Sequence, residues 1–362
     1  MLPATERILL GPGPSLISPR VMRAMAAPML SHLDPEFIEL MNDLRARLGR
    51  VFQATEGSLA LAVSGTGTSA MEVAVANVVQ PGTKVLSIVT GYFGDRLAEM
   101  SRRYGAQVQR LEVEWGRACD PDAVARALGA SSADLVTVVH AETSTGVLNP
   151  VREVASIAHE HGAFVVVDAV TSLGAMPLDA AAWELDVVYS CSQKGLGAPS
   201  GVAPIVFAPT ALARKVPCRS FAFDLSLLED YWVRRKYHHT MCASLIYALR
   251  EALMVVEEER LKLRWARHER HHHALVAGLE AMGLTLLPPA GERLWTLNAV
   301  RVPDGVDEAA VRRRLLQHFN IEIGAGLGPL AGKIWRVGLM GSSSTEALVT
   351  LFLAALEKSM RA

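Results

Sequence analysis

The sequence predicts an α/β protein, a mostly parallel sheet between helices followed by a smaller α+β unit. Three observations carry this. From about residue 21, short β-branched runs alternate with helical stretches of ten or more residues. The 362 residues, half of them apolar, are too many for one small core. After Ser244 the alternation stops, and a long helical stretch leads into a second set of strands.

Residues 1–20 are rich in glycine and proline, as in Leu10-Gly11-Pro12-Gly13-Pro14-Ser15, and are expected to form an extended arm. A phosphate loop is not expected there, because no strand precedes the glycines and no Gly-Lys-Ser/Thr follows. The large domain is assigned to residues 21–255. Asp34-Pro35 caps its first clear helix, running to Leu48, and Asp120-Pro121 caps another, running to Leu128. Seven strands are expected, at Leu59–Val63, Lys84–Thr90, Val108–Val113, Leu135–His140, Phe164–Val167, Val187–Tyr189 and Val202–Phe207. Helices are expected between them, including Gly94–Tyr104 and Pro150–His161. Ser244 to about Met282 reads as one long helix bridging two domains. The small domain, 256–362, holds strands at Leu294–Val302, Ile321–Ile323 and Ile334–Leu339 and a helix at Asp307–Phe319. Its last helix is expected to start at the capping box Ser343-Ser344-Thr345-Glu346.

Charge is balanced, 36 basic against 37 acidic residues, and no basic stripe carries interleaved aromatics. Nucleic acid is therefore not an expected partner. No apolar stretch is long enough for a membrane span. The four cysteines lack metal-ligand spacing, which suits a reducing, cytosolic setting, and no signal peptide is read at the start.

The candidates for chemistry all sit beyond the carboxyl ends of strands, where open parallel sheets bind ligands. Ser64-Gly65-Thr66-Gly67-Thr68 turns from a strand into a helix. Its free amides and the helix dipole suit a phosphate, although an ordinary capped turn reads the same way. Asp168 ends an apolar strand, either as a cap or as a buried carboxylate in need of a cationic partner. Lys194 follows the strand Val187–Tyr189, twenty-six residues after Asp168. It is either a lysine snorkelling to water or an amine of lowered pKa able to condense with a carbonyl. Together the three are what pyridoxal phosphate needs: a cup for phosphate, an acid for the pyridine nitrogen and a lysine for the aldehyde. Gly91-Tyr92-Phe93-Gly94 could add an aromatic over the ring.

With these residues in view, the chain resembles the class V, fold-type I aminotransferases, most nearly the alanine–glyoxylate and serine–pyruvate enzymes. The matching stretches are Leu10–Ser15, Ser64–Gly67, Ala141–Val147, Val167–Val170, Ser190–Lys194, Tyr237–Thr240, Gly326–Pro329 and Gly332–Gly338. They run in the family's order along nearly the whole chain. The resemblance implies that Lys194 is the Schiff-base lysine and that Asp168 pairs with the pyridine nitrogen. It puts Val170 on one ring face and Phe93 on the other, where relatives often have tryptophan. Thr66, Gly67, Thr68 and Gln193 would bind the phosphate, and Thr143 would lie near the ring hydroxyl. Tyr237 and Thr240 would reach the phosphate of the neighbouring subunit, so a homodimer is implied. Arg336 would hold the substrate carboxylate, with the arm at Gly13 beside it. Thr68 stands where eukaryotic relatives have histidine.

The expected activity is transfer of an amino group from alanine or serine to glyoxylate. Serine–pyruvate, serine–glyoxylate and phosphonate-type specificity stay open. A desulfurase is disfavoured because the last cysteine is Cys242 and Gln193, not histidine, precedes the lysine. A non-catalytic cofactor-binding module would lack the lysine or the arginine, or carry an added DNA-binding segment. No metal site is assigned. His268, His271, His272 and His273 are read as a solvated helix face, His238-His239 as neighbours of the phosphate contacts, and Cys191 as a small core residue.

Overall fold

The computed structural model describes residues 6–361. Residues 1–5 of the arm and Ala362 lie outside this range. The main sheet has seven strands. From one edge they run Leu59–Gly65, Gly201–Phe207, Val187–Tyr189, Phe164–Asp168, Leu135–Val139, Lys84–Val89 and Gln107–Glu112. All neighbours pair in parallel except Gly201–Phe207, which is antiparallel to both of its own. The central strands are apolar on both faces because helices cover both. Polar chemistry is thereby pushed off the faces to the strand ends.

Local signals explain several helices. Asp34 accepts from the Glu36 amide at 2.8 Å and Pro35 starts the helix Pro35–Val51. Asp120 does the same for Pro121–Ala130 through the Asp122 amide at 3.0 Å.

A second core forms around an antiparallel three-stranded sheet, in which Ile334–Gly338 lies between Leu297–Arg301 and Gly324–Ala325. The arm belongs to this core at its start. Ile8–Leu9 pairs in parallel with Ile321–Glu322, and Leu10 is buried there. The arm then crosses to the main body, where the Ser15 amide donates to Gln193 O at 2.9 Å.

Three expectations are corrected. The long helix is two, Ala243–Glu259 and Leu261–Ala281, broken at Arg260, whose φ is +68°. No glycine or proline marks the break. Charged contacts hold it: Glu259 receives Arg264 Nη1 at 2.6 Å and Arg267 Nε at 2.5 Å from the next helix. Second, the histidine face is not solvated, apart from exposed His273. His268, His271 and His272 are buried because each finds a partner. His268 bonds Arg264 O at 2.8 Å and the Gly341 amide at 3.1 Å; His271 bonds Ser344 Oγ at 3.0 Å; His272 bonds Asn298 Oδ1 at 2.7 Å. Third, Ser343 lies in a 3-10 turn, Gly341–Ser343, and the last helix, Glu346–Arg361, is capped by Thr345, whose Oγ1 accepts from the Leu348 amide at 3.2 Å.

Arg264 ties the second core to the main body. It is buried and donates to Gly174 O and Gly195 O, both at 2.8 Å. Those carbonyls lie in the turns that follow Asp168 and Lys194. Arg264→Met leaves both carbonyls without their donor and Glu259 with Arg267 as its remaining cation. Chemical denaturation should show a loss of about 3–5 kcal/mol. An unchanged unfolding free energy would contradict the assigned role.

Candidate active site

One cavity of about 180 Å³ opens beyond the carboxyl ends of the sheet. Its walls bring together Thr66, Gly67, Thr68, Phe93, Thr143, Asp168, Val170, Gln193 and Lys194, which were far apart in sequence. Asp168 is buried at its floor. Its Oδ1 accepts from the Val170 amide at 2.8 Å, and its Oδ2 from the hydroxyl of Tyr189, on the adjacent strand, at 2.9 Å. Burial raises its pKa to about 7, and the charge of Glu142 adds to the rise. Lys194 is half-buried, and loss of hydration around its amine lowers its pKa, as does the charge of Arg336. Its Nζ donates to Pro12 O, on the arm.

Gly13 is forced by this approach. A Cβ there would fall 2.5 Å from the Lys194 side chain, and its φ of +111° suits glycine. Ser15 Oγ donates to Lys194 O at 2.9 Å, so the arm clasps the lysine from both sides.

The turn Ser64–Thr68 presents the first amides of helix Gly67–Val78 to the cavity. Gly67 lies close under Val170: a Cβ would meet Val170 Cγ2 at 3.0 Å. Gln193 Oε1 is buried with no partner.

Arg336 is buried on the strand Ile334–Gly338. Its Nε donates to Ala325 O at 2.6 Å and its Nη1 to Thr143 O at 3.3 Å, which leaves guanidinium donors free. Burial lowers its pKa to about 10, so it remains a cation at neutral pH.

Tyr237 and Thr240 do not join the cavity. Both are exposed, Tyr237 by 64%. Their neighbour His239 does reach the cup's strand, with Nε2 3.1 Å from Ser64 Oγ. Cys191 is a buried core residue, as read.

Two residues were missed in the sequence. Glu142 is fully buried, which raises its pKa, and accepts from the amides of Phe93 at 3.2 Å, Gly94 at 3.1 Å and Ser144 at 3.1 Å. It thereby fixes the start of helix Tyr92–Arg103 and the Phe93 ring. Gly91 lets it come close, since a Cβ there would meet Glu142 Cγ at 2.6 Å. Arg96 lines the cavity one turn beyond Phe93, and its i, i+3 spacing was the available signal.

A larger groove of about 550 Å³ lies at the other end of the sheet, but its polar groups satisfy one another. Asp186 accepts from His159 at 2.8 Å, Thr210 at 2.6 Å and the Val165 amide at 2.9 Å. Arg214 rests on Phe164, 4.5 Å from the ring centroid.

The arrangement suits chemistry at an amino-bearing carbon: a lysine of lowered pKa and a buried acid line one cavity, and a buried arginine with free donors is bonded to Thr143 of its wall. Comparison with known proteins identifies the class. The family model for class-V aminotransferases matches residues 9–337, and the chain belongs to that family. It is an aminotransferase, and the family implies pyridoxal phosphate as cofactor. The chain is 38% identical to the (S)-ureidoglycine–glyoxylate transaminase of Bacillus subtilis, over 97% of this chain and 90% of the relative. It is 36% identical to the alanine–glyoxylate aminotransferase of Drosophila melanogaster, over 98% and 93%. The crystal structure of an alanine–glyoxylate aminotransferase from Nostoc sp. superposes with a TM-score of 0.97 at 45% identity, covering 99% of this chain and 97% of that one.

The residues present fit the cofactor. Among the described residues the buried Asp168 carboxylate has no cation bonded to it and Gln193 Oε1 lacks a partner, and Thr66, Gly67 and Thr68 at the helix start line the cavity. A protonated pyridine nitrogen is the partner such an acid lacks.

A pH dependence follows for the cofactor-free protein. Folded, Asp168 holds its proton to about pH 7; unfolded, only to the ordinary aspartate value of 3.8. Between those values the folded state binds more protons, so Asp168 lowers stability as pH rises, by at most roughly 4 kcal/mol. Urea unfolding from pH 4.5 to 7 should therefore show a shallower decline for Asp168→Asn than for the unaltered protein. Equal declines would contradict the assignment.

Proposed function

We propose that the protein transfers the amino group of a small amino acid, alanine or serine, to glyoxylate in two half-reactions at this cavity. The observation that carries the reading is the meeting of Lys194 and Asp168 in one cavity of a class-V chain, with Arg336 bonded to Thr143 of its wall. Glyoxylate is favoured as acceptor because the similar enzymes of Bacillus subtilis and Drosophila melanogaster are both glyoxylate transaminases, the first with (S)-ureidoglycine and the second with alanine as donor.

When bound, pyridoxal phosphate supplies an aldehyde that takes up amino groups and a protonated ring that accepts electrons from the α-carbon. Asp168 holds the pyridine nitrogen protonated, with Tyr189 and the Val170 amide fixing its orientation. Phe93 and Val170 would flank the ring, Thr66, Gly67, Thr68 and Gln193 would hold the phosphate, and Thr143 would serve the ring hydroxyl. Lys194 anchors the aldehyde. Its lowered pKa would then let Nζ accept the donor's α-proton and pass it to the cofactor carbon within the same half-reaction, the second half-reaction running in reverse. Arg336 takes the substrate carboxylate in a two-pronged grip, and Gly13 leaves room beside the lysine.

The working unit is a homodimer in this reading. Met29, Phe221 and Tyr237 are exposed by 69%, 74% and 64%, and the His32 and Tyr237 rings lie 5.4 Å apart. A second copy covers these groups and receives Tyr237 and Thr240 at its phosphate. The separate cores support a division of the chain near residue 255.

Purified protein loaded with cofactor should be yellow. Alanine should bleach that colour and glyoxylate restore it, and serine, (S)-ureidoglycine and aminoethylphosphonate tested alongside rank the donors. Lys194→Ala should lower turnover by about 10² to 10⁴ or more. Normal turnover by that variant, or no bleaching by any amino donor, would refute the proposal.

A further inference from the structure

We propose that Arg96 turns the Thr66–Thr68 cup into a binder of the phosphate dianion, by aiming the Thr68 hydroxyl proton into it. Arg96 Nη1 donates to Thr68 Oγ1 at 3.0 Å. A hydroxyl has one proton; when its oxygen accepts from a cation, that proton is left to donate elsewhere. The cavity lies next to it, since Thr68 and Arg96 line the same wall as Thr66, Gly67 and Gln193.

Arg96 is itself held in place. Its guanidinium sits 5.1 Å from the centroids of both the Tyr92 and Phe93 rings, and cations favour ring faces. Among the described residues no carboxylate lies within ion-pair distance of it, although fifteen other arginines have one. Its charge is therefore not cancelled at the cup. A chain of cation, hydroxyl and phosphate is a charge-assisted relay, stronger than a neutral hydroxyl alone. Arg96 is a positioning residue here and acts through Thr68. Phe93 shares the same helix turn, so one element sets both the ring wall and the phosphate donor.

This inference rests on the phosphate reading of the cup, and one experiment separates the two. Cofactor-free protein is titrated calorimetrically with pyridoxal phosphate and with pyridoxal, which lacks the phosphate. The unaltered protein, Arg96→Met, Arg96→Lys, Thr68→Val and the double variant Arg96→Met/Thr68→Val are compared. Arg96→Met should weaken pyridoxal phosphate binding about tenfold, the scale of one charge-assisted bond, and leave pyridoxal binding unchanged. Arg96→Lys should recover most of the loss. The double variant should bind no more weakly than the weaker single variant, because the two residues act as one unit. Equal weakening of both ligands by Arg96→Met would show that the arginine only supports the aromatic wall, and would overturn the inference. Unchanged pyridoxal phosphate binding would overturn it too. If the unaltered protein itself binds the two ligands alike, the phosphate reading of the cup fails, and the inference with it.

Discussion

Two ionisable groups of opposite sign, placed at strand ends in a poorly hydrated cavity and not bonded to each other, are the constraint on which the rest of the structure depends. Asp168 is held by an amide and a phenol, and Lys194 by a backbone carbonyl of the arm. Neither contact neutralises a charge. Burial alone moves both groups toward their neutral forms, the acid upward and the amine downward. A ligand that carries a basic ring nitrogen and an aldehyde satisfies both at once. That is why the cavity reads as a cofactor site and not as a packing flaw.

Keeping such groups in place requires support from several directions. The arm approaches from the second core, where Leu10 is buried, and closes over the lysine with Pro12, Gly13 and Ser15. Arg264 holds the backbone beyond both functional residues. Glu142 works on the third side. Its carboxylate organises the helix start that carries Phe93, and its charge favours the cationic form of Arg336. The ring wall and the carboxylate-binding arginine are thereby coupled through one buried acid. The three-stranded sheet matters for the same reason: it delivers Arg336 to Thr143, a residue of the cavity wall.

Much of this was legible in the sequence, and the failures have physical causes. β-branched runs marked the strands because a sheet covered on both faces demands them, and Asp-Pro pairs marked helix starts because they satisfy free amides locally. Asp168, Lys194 and Gly67 stood out because acids, lysines and glycines are unusual at the ends of such strands. Local patterns could not show the break at Arg260, which the charged contacts of Glu259 with the next helix hold. Nor could they show that His268, His271 and His272 are buried, since their partners come from Gly341, Ser344 and Asn298, far along the chain. Glu142 carried no local signal, since the Phe93 and Gly94 amides that hold it belong to a helix start far away in sequence. Tyr237 and Thr240 stand exposed and away from the cavity, so their proposed role needs a second copy that a single chain does not contain.

The central claim is that Lys194 is the covalent anchor of the cofactor. Borohydride reduction of protein loaded with pyridoxal phosphate, followed by proteolysis and mass spectrometry of the peptides, tests it most directly. The account predicts a single modified peptide, containing Ser192-Gln193-Lys194, with the added mass on Lys194. A label on any other lysine, or no label at all, would contradict it.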